Sequence, residues 1–447
     1  MRKDFETAIA PRDPRRIGAG TLARHGRLRS TTRLGSVGKG IAMLVGVAVL
    51  SAFVFGAIVL YNLKSGVETF DLDGEAPSDL SAYPGGVNFL LVGSDDRTGQ
   101  GEEFGEGLDE ASGVLNDVSM ILHLSADHTH ATVVSIPRDT IVDTPSCIND
   151  NGEQMSERYG VQFNSILGYG GMNCVVAAAE ELSGLDIQFA AMVQFRGVIE
   201  MSNAVGGVEV CVEQPLVDPY VGLNLQPGYH TLQGKDALAF LRSRHGVGDG
   251  SDLSRIGNQQ VFLAALMRTV KSDDTLTDPT KLYGLARAAT QNMVLSSNLN
   301  NVDTLVQLAV ALSNVPLERL AFVRLPVVDS PYAAGRVIPD PEAAAQLWEL
   351  LQQDQPTTVK PESEDGSGEG DDGGAGADGG AGAEGGAETP DAPTTPDEPT
   401  TEPDNGNGIE GGVPGAPGAP ETTAPAQPDL DGQTADDETC SNSDTIF

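Results

Sequence analysis

The stretch "FLRSRHGVGDGSDLSRIGNQQ", Phe240 to Gln260, sets three arginines and a histidine around a glycine-rich loop. Arg242 and Arg244 stand two apart, which places both on one side of an extended segment. Asp252, Arg255 and Gln259 follow at i, i+3 and i+7, one face of a helix near its N-terminus. A helix N-terminus flanked by arginines attracts phosphate, and a planar guanidinium can grip two phosphate oxygens at once. The plainer reading is that Arg255 pairs with Asp252 and the other arginines are solvated. His245 is either a phosphate or sugar contact or a solvated loop residue.

More acids and arginines fall at the ends of apolar runs. "VGSDDR" carries Asp95, Asp96 and Arg97; "SIPRDT" carries Arg138 and Asp139; "LNDVS" sets Asp117 just before an apolar run. In α/β sheets, sites gather beyond the carboxyl ends of the strands. Asp95 and Asp117 suit Mg²⁺, which takes a few carboxylates together with phosphate oxygens and water. Taken singly, each reads first as a turn or cap residue. Mg²⁺ and several arginines together would neutralise a pyrophosphate.

Other chemistries fit poorly. The chain has no GxxxxGK[ST] loop and no GxSxG elbow. Its six histidines form no HExxH pattern, and His123, His128 and His130 read as a strand edge and a polar turn. Aromatics make up 5% and do not interleave with basic patches, so nucleic acid is not an expected partner.

Positioning these groups requires alternating strands and helices. "VNFLLVGS", "VSMILHLS" and "HATVVSIPRD" are short apolar runs followed by turn signals, as buried strands are. "NCVVAAAEELSGL" reads as a helix ended by Gly184. "AAMVQFRGVIEMSNAVGG" reads as a strand, a helix and a Gly-Gly turn, and "VEVCVEQPLVD" as a strand. "GKDALAFLRSR" and "SDLSRIGNQQVFLAALMRTVK" read as helices, the second capped by Ser or Asp. Residues 271–353 add "TLVQLAVALSN" and "PEAAAQLWELLQQ" as helices and "LAFVRLPV" as a strand. Such alternation predicts an α/β layered domain with a central sheet.

The formal charge of −37 is unevenly spread. Residues 354–447 hold one lysine, Lys360, against 23 acids, so this segment supplies about −22 of the total. Its Gly, Ala, Pro, Thr and acidic composition cannot bury enough apolar surface to offset chain entropy, which predicts a disordered tail. Residues 1–40 are basic, with ten Lys and Arg against Asp4, Glu6 and Asp13. Ile41 to Tyr61 follow without a charge, long enough to cross a bilayer core of about 30 Å as one helix. The basic flank predicts a cytoplasmic N-terminus, a membrane anchor at 41–61, a stalk at 62–82 and everything beyond outside the membrane. A cleaved signal peptide is the weaker alternative, because the apolar run is long for one. The four cysteines then lie in a compartment where disulfides persist. Cys147 and Cys174, both in loop-like sequence, are the preferred pair. Cys211 reads as a strand residue, free and buried.

Seven motifs in order, "NFLLVGSDDR", "NDVSMILHLS", "VVSIPRDT", "FNSILGYGG", "NAVGGVEVCVEQP", "GYHTLQGKDALAFLRSRH" and "GDGSDLSRIGNQQ", resemble the LytR-CpsA-Psr family of cell-envelope proteins, in its actinobacterial form. The resemblance implies an α/β/α sandwich with a mixed central sheet over 83–270, completed by 271–353, and an apolar tunnel for a prenyl chain. It implies a membrane-anchored phosphotransferase that moves a glycopolymer from a polyprenyl-pyrophosphate carrier onto peptidoglycan. Asp95 and Asp117 would then hold Mg²⁺ or Mn²⁺. Arg97, Arg138, Arg242, Arg244 and Arg255 would contact or neighbour the pyrophosphate. Asp252 and Gln259 would share that cluster, Asp252 as a base or as the positioner of an arginine. Two positions depart from the family pattern: Leu115 and Gln162 stand where it often carries Arg and Lys. A polyprenyl-pyrophosphate hydrolase, a non-catalytic glycolipid-binding module and a membrane-bound regulator are the alternatives. The regulator is disfavoured, because residues 1–40 are too short for an effector domain.

Overall fold

The computed structural model describes residues 38, 41–51, 53–54, 56, 67–72, 80, 83, 85–96, 114–246, 252–272, 275, 278–359 and 430–441. The chain divides into two compact units, Met1–Ser65 and Gly66–Phe447. In the first, residues 41–51 are helical and exposed. The remainder of the predicted span to Tyr61 falls mostly outside the described residues, as does nearly all of the basic segment. Among the described residues no helix is long and apolar enough to cross a membrane.

The second unit is built on an eight-stranded sheet. Its strands are β1 (Glu68–Phe70), β2 (Val87–Ser94), β3 (Asn116–Leu124), β4 (Ala131–Ser135), β5 (Phe189–Val193), β6 (Met293–Ser296), β7 (Leu320–Arg324) and β8 (Gly432–Thr434). They lie in the order β1-β6-β5-β2-β3-β4-β7-β8. The sheet is mixed: β2 runs parallel to β5 and β4 to β7, while β3 runs antiparallel to both neighbours. The carboxyl ends of β2, β4, β5 and β7 therefore share one edge with the start of β3.

Alternation along the strands gives the sheet two apolar faces. Leu90, Val92, Ile121 and Val134 pack under α1 (Ile166–Ser183) and α7 (Ala343–Gln352), through Val175, Ala179, Leu347 and Trp348. On the other face, Val87, Leu124, Phe189, Leu295 and Phe322 pack against α4 (Asp252–Lys271) and α6 (Val302–Asn314). This is the expected mixed α/β arrangement with a central sheet. Between α4 and the small antiparallel pair of Val208–Val212 with Gly228–Leu232, a third cluster holds α2 (Phe195–Val205), α3 (Lys235–Arg242) and, through Leu285, α5 (Pro279–Asn292) in place.

The start of α1 shows how local chemistry overrides periodicity. The helix proper was expected near Asn173, and the structure adds a turn before it, broken at Gly171 with φ of 66°. Asp150 approaches Gly171 too closely for any side chain there. Its carboxylate accepts from Met172 N (2.9 Å) and Asn173 N (3.1 Å), so it caps the second half of α1. Cys147–Cys174 staples the same corner, as expected. Gly184, at φ 65°, ends the helix in the left-handed conformation.

Three expectations are corrected. The segment 62–82, read as a stalk, supplies β1, which pairs parallel with β6. The tail from 354 onward is not uniformly unstructured: residues 430–441 return to the domain, and β8 pairs antiparallel with β7. Cys211 is not free, because it is bonded to Cys440. The last two share a physical reason. One edge strand and one disulfide offset the ordering cost of a short segment, which a composition averaged over 94 residues hides.

Candidate active site

The site forms where the sheet's regular pairing breaks. Gly93 pairs with Val118, but the next residue, Ser94, pairs with Asn116, leaving Asp117 as the extra residue of a β-bulge. A bulge re-aims side chains, and Asp117 lines the same cavity as Val118 and Met120 instead of alternating away. Gly93 is required here, since a Cβ would stand 2.9 Å from that of Val118. Asp95, just past β2, accepts from Leu115 N (2.8 Å) and donates its own N–H to Leu115 O (3.2 Å). It thereby clamps the facing strand ends.

Past β4, Pro137 opens a turn closed by Thr140, whose N–H and hydroxyl both donate to Pro137 O (3.0 and 2.7 Å). The turn projects Arg138 toward Asp117, with Nη1 to Oδ1 at 2.6 Å. Asp252 opens α4, and one turn on Arg255 Nη2 lies 2.5 Å from its carboxylate. The same Nη2 donates to Asp117 O at 2.8 Å. Arg255 Nη1 and Arg244 Nη2 stand 3.9 and 3.8 Å from Asp117 Oδ1. Three arginines from three elements therefore converge on one carboxylate.

Arg244 is placed by Asp218, a buried acid that the sequence motifs did not single out. One Asp218 oxygen accepts from Ser243 Oγ (3.0 Å), Arg244 N (3.0 Å) and His245 N (3.1 Å); the other accepts from Tyr220 N (3.0 Å). Burial alone would raise its pKa, but these donors outweigh burial and lower it. His245 lies against the Tyr220 ring, centroids 4.3 Å apart. The only advance sign of this acid is its place before a proline in "PLVDPY".

Burial and charge act oppositely on the arginines. Arg255, 4% exposed, is pushed down to about 10 by burial first, opposed by Asp252 and assisted by the charges of Arg244 and Arg138. Burial, then the charge of Arg138, also lowers Arg244. Burial works against Arg138 too, but the hydrogen bond and charge of Asp117, with Asp252 and Asp139, outweigh it and raise its pKa. Arg255, although depressed, still sits well above neutral pH. Buried Arg255 Nε has no hydrogen-bond partner among the described residues, a donor suited to an incoming anion.

These charges stand at the mouth of an apolar cavity of about 340 Å³. It lies between the sheet face of Leu91, Val118 and Met120 and helices α2, α3 and α4, which add Val198, Leu238, Phe262 and Leu266. Asp117, Arg242, Arg244, Arg255 and Gln259 also line it. Arg242 sits over the Phe195 ring at 4.4 Å, and Gln259 Nε2 donates to Leu241 O at 3.3 Å. The structure thus brings Asp117, Arg138, Arg242, Arg244, Asp252, Arg255 and Gln259 to one place. Asp95 is held at its edge through Leu115. Arg97 lies outside the described residues.

No group of three or more His, Cys, Asp or Glu residues among those described forms a metal cage. Two carboxylates on facing strand ends, Asp95 and Asp117, are hard oxygen donors. They fit the manner in which Mg²⁺ uses one or two carboxylates and completes its shell with phosphate and water.

An apolar cavity lined in part by Arg242, Arg244 and Arg255 has the chemistry to accept an amphiphilic anion. The LytR_cpsA_psr family model matches residues 58–353, and the chain belongs to that family. It is similar to the cell wall biosynthesis protein LcpA of Corynebacterium glutamicum, 31% identical over 329 residues, 67% of this chain and 62% of LcpA. It is 30% identical over 197 residues to the polyisoprenyl-teichoic acid–peptidoglycan teichoic acid transferase TagT of Bacillus subtilis, 42% of this chain and 55% of TagT. The chain therefore spans under two thirds of the length of each. A Streptococcus agalactiae protein of known crystal structure shares the fold, with a TM-score of 0.51 at 17% identity over 64% of this chain and 93% of that one.

Proposed function

We propose that this protein is a phosphotransferase of cell wall assembly, moving a glycopolymer from a polyprenyl-pyrophosphate carrier onto peptidoglycan. The observation that carries the reading is the convergence of Arg138, Arg244 and Arg255 on Asp117 at the mouth of an apolar cavity. The prenyl chain enters the cavity. The pyrophosphate lies across the arginines, which neutralise the charge that builds on the bridging and departing oxygens. A peptidoglycan sugar hydroxyl attacks the glycan-bearing phosphorus. The new P–O bond forms, the P–O bond to the prenyl phosphate breaks, and the hydroxyl proton passes to solvent. Asp252 serves as a positioner: its carboxylate is held by Arg255 at 2.5 Å and accepts from Arg138 N at 3.3 Å. Mg²⁺, held by Asp95 and Asp117, would supply further charge neutralisation to the pyrophosphate oxygens.

The protein belongs outside the membrane in this reading, anchored through 41–61. Cys147–Cys174 and Cys211–Cys440 support an oxidising compartment. The activity test incubates the full chain with Mg²⁺, a polyprenyl-pyrophosphate glycan and peptidoglycan fragments, and follows both prenyl phosphate release and glycan transfer. Transfer that is lost with Arg255→Ala supports the proposal. Release without transfer would make the protein a hydrolase of the carrier, and neither product would leave only binding.

A further inference from the structure

Arg336 lies about 80 residues beyond the last of the family motifs, in the loop of a hairpin that pairs Val327–Asp329 with Val337–Pro339. That hairpin is tied to the Arg138 turn, because Thr140 bridges to Val337 and Val337 N donates to Asp139 O at 3.4 Å. Arg336 Nη1 donates to Asp139 Oδ1 at 2.8 Å. The other Asp139 oxygen stands 3.5 Å from Arg138 Nε. The Gln162 amide also lies against the Arg336 guanidinium, so a cation from the far hairpin occupies the neighbourhood of a position where the family pattern often has lysine.

Arg138 is crowded by acids: Asp117 at 2.6 Å, Asp252 at 3.4 Å and Asp139 at 3.5 Å. A guanidinium facing three carboxylates has little charge left for a substrate anion. Arg336 makes the shorter contact with Asp139 and neutralises one of them. The location matters too. Arg244, Arg255 and Asp117 line the apolar cavity, whereas Arg138 and Arg336 do not. The two therefore stand outside the cavity lining, behind the arginines that reach it.

We propose that Arg336 is a positioning residue that holds Asp139 and leaves Arg138 to bind the phosphate farther from the prenyl chain, the one that carries the glycan. The inference rests on the pyrophosphate reading above. Its test uses the full chain with Mg²⁺ and measures calorimetric binding of geranylgeranyl pyrophosphate and geranylgeranyl monophosphate. Arg336→Ala should weaken pyrophosphate binding about tenfold, the size of one charge-assisted contact, and leave monophosphate binding within about twofold. Adding Asp139→Asn to Arg336→Ala should restore most of the loss, because the competing carboxylate is gone. Arg336→Lys should fall between wild type and alanine. Unchanged pyrophosphate binding in Arg336→Ala, equal loss for both ligands, or no recovery in the double variant would each overturn the inference. A wild-type protein that binds neither ligand, or whose binding ignores Arg255→Ala, removes the site reading and this inference with it.

Discussion

The two ends of β3 are both polar and mostly sheltered, yet they are built oppositely. At its start, the single carboxylate of Asp117 gathers Arg138, Arg244 and Arg255, and the cluster opens on a cavity. Near its end, fully buried His123 bonds Asn88 Oδ1 at 2.8 Å and Asp354 Oδ1 at 3.1 Å, while His130 approaches the same carboxylate at 4.0 Å. Asp354 also accepts from Ala126 N at 3.2 Å. The first end gathers permanent charges of both signs beside a cavity. The second uses a switchable base whose hydrogen bonds close on themselves. An end built for an anion should respond to substitution in activity; an end built for closure should respond in stability.

Arg255→Ala should break the first end most severely. Loss of a donor aimed at developing charge costs on the order of 10² to 10³ in rate, read as prenyl phosphate release and glycan transfer. The variant also leaves Asp252 sheltered beside one fewer cation, so its melting temperature should fall as well. Equal rates for the variant and wild type would remove Arg255 from the chemistry.

The second prediction concerns the link behind α4. Cys440 ties the returning segment to Cys211, 229 residues away in sequence. Arg268 Nη1 donates to Ala435 O (2.8 Å) and Asp437 O (2.7 Å), and Ser441 bonds Asn258, beside Gln259. Cys440→Ser should lower stability by about 2–5 kcal/mol, measured by denaturant titration. The Cys147–Cys174 loop spans only 27 residues, so on chain-entropy grounds its removal should cost less. The reverse order would show that capping of α1 matters more than loop length.

How much of this was legible follows from the range of each interaction. The Asp252–Arg255 pair was readable because i and i+3 meet on any helix. Gly184 was readable because helices stop on a left-handed glycine. The sequence offers two uses for Arg255, pairing with Asp252 or facing phosphate; the structure shows the pairing, and it leaves Nε of the same guanidinium without a partner among the described residues. Asp218, Arg336 and Cys440 were not readable. Each acts through a contact far away in sequence, and no periodicity or local motif marks it. Asp354 was assigned to the tail by composition, yet its side chain closes the polar cluster on β3. The bulge at Asp117 was hidden for another reason: alternation predicts regular strands, and register shifts are decided by the partner strand.

The third prediction sharpens the stability end of the comparison. Burial lowers the pKa of His123 below its ordinary value, although the hydrogen bond and charge of Asp354 oppose the shift. Burial likewise lowers His130. Groups with depressed folded values favour the neutral ring, so the unfolded chain binds more protons as pH falls. Their contribution is complete above the unfolded value of about 6.5 and is lost as pH drops from there through the folded values. Melting temperature should therefore decline below about pH 6.5, and His123→Gln should flatten that decline. A profile unchanged in the variant would place the acid sensitivity elsewhere.

The smallest effect belongs to Arg242, and it tests whether burial or mere presence decides an arginine's worth at the first end. Arg242 lines the same cavity as Arg255, but it is exposed and rests on the Phe195 ring. Exposed cation–π contacts are worth about 0.5–1 kcal/mol, and water screens the charge. Arg242→Ala should therefore raise the KM for the lipid donor by roughly two- to fivefold, with kcat nearly unchanged. Added salt should weaken wild-type binding toward the variant, since exposed charges are screened first. A loss as large as that of Arg255→Ala would mean that Arg242 turns inward onto the phosphate when the donor binds. The trio on Asp117 would then be only part of the grip.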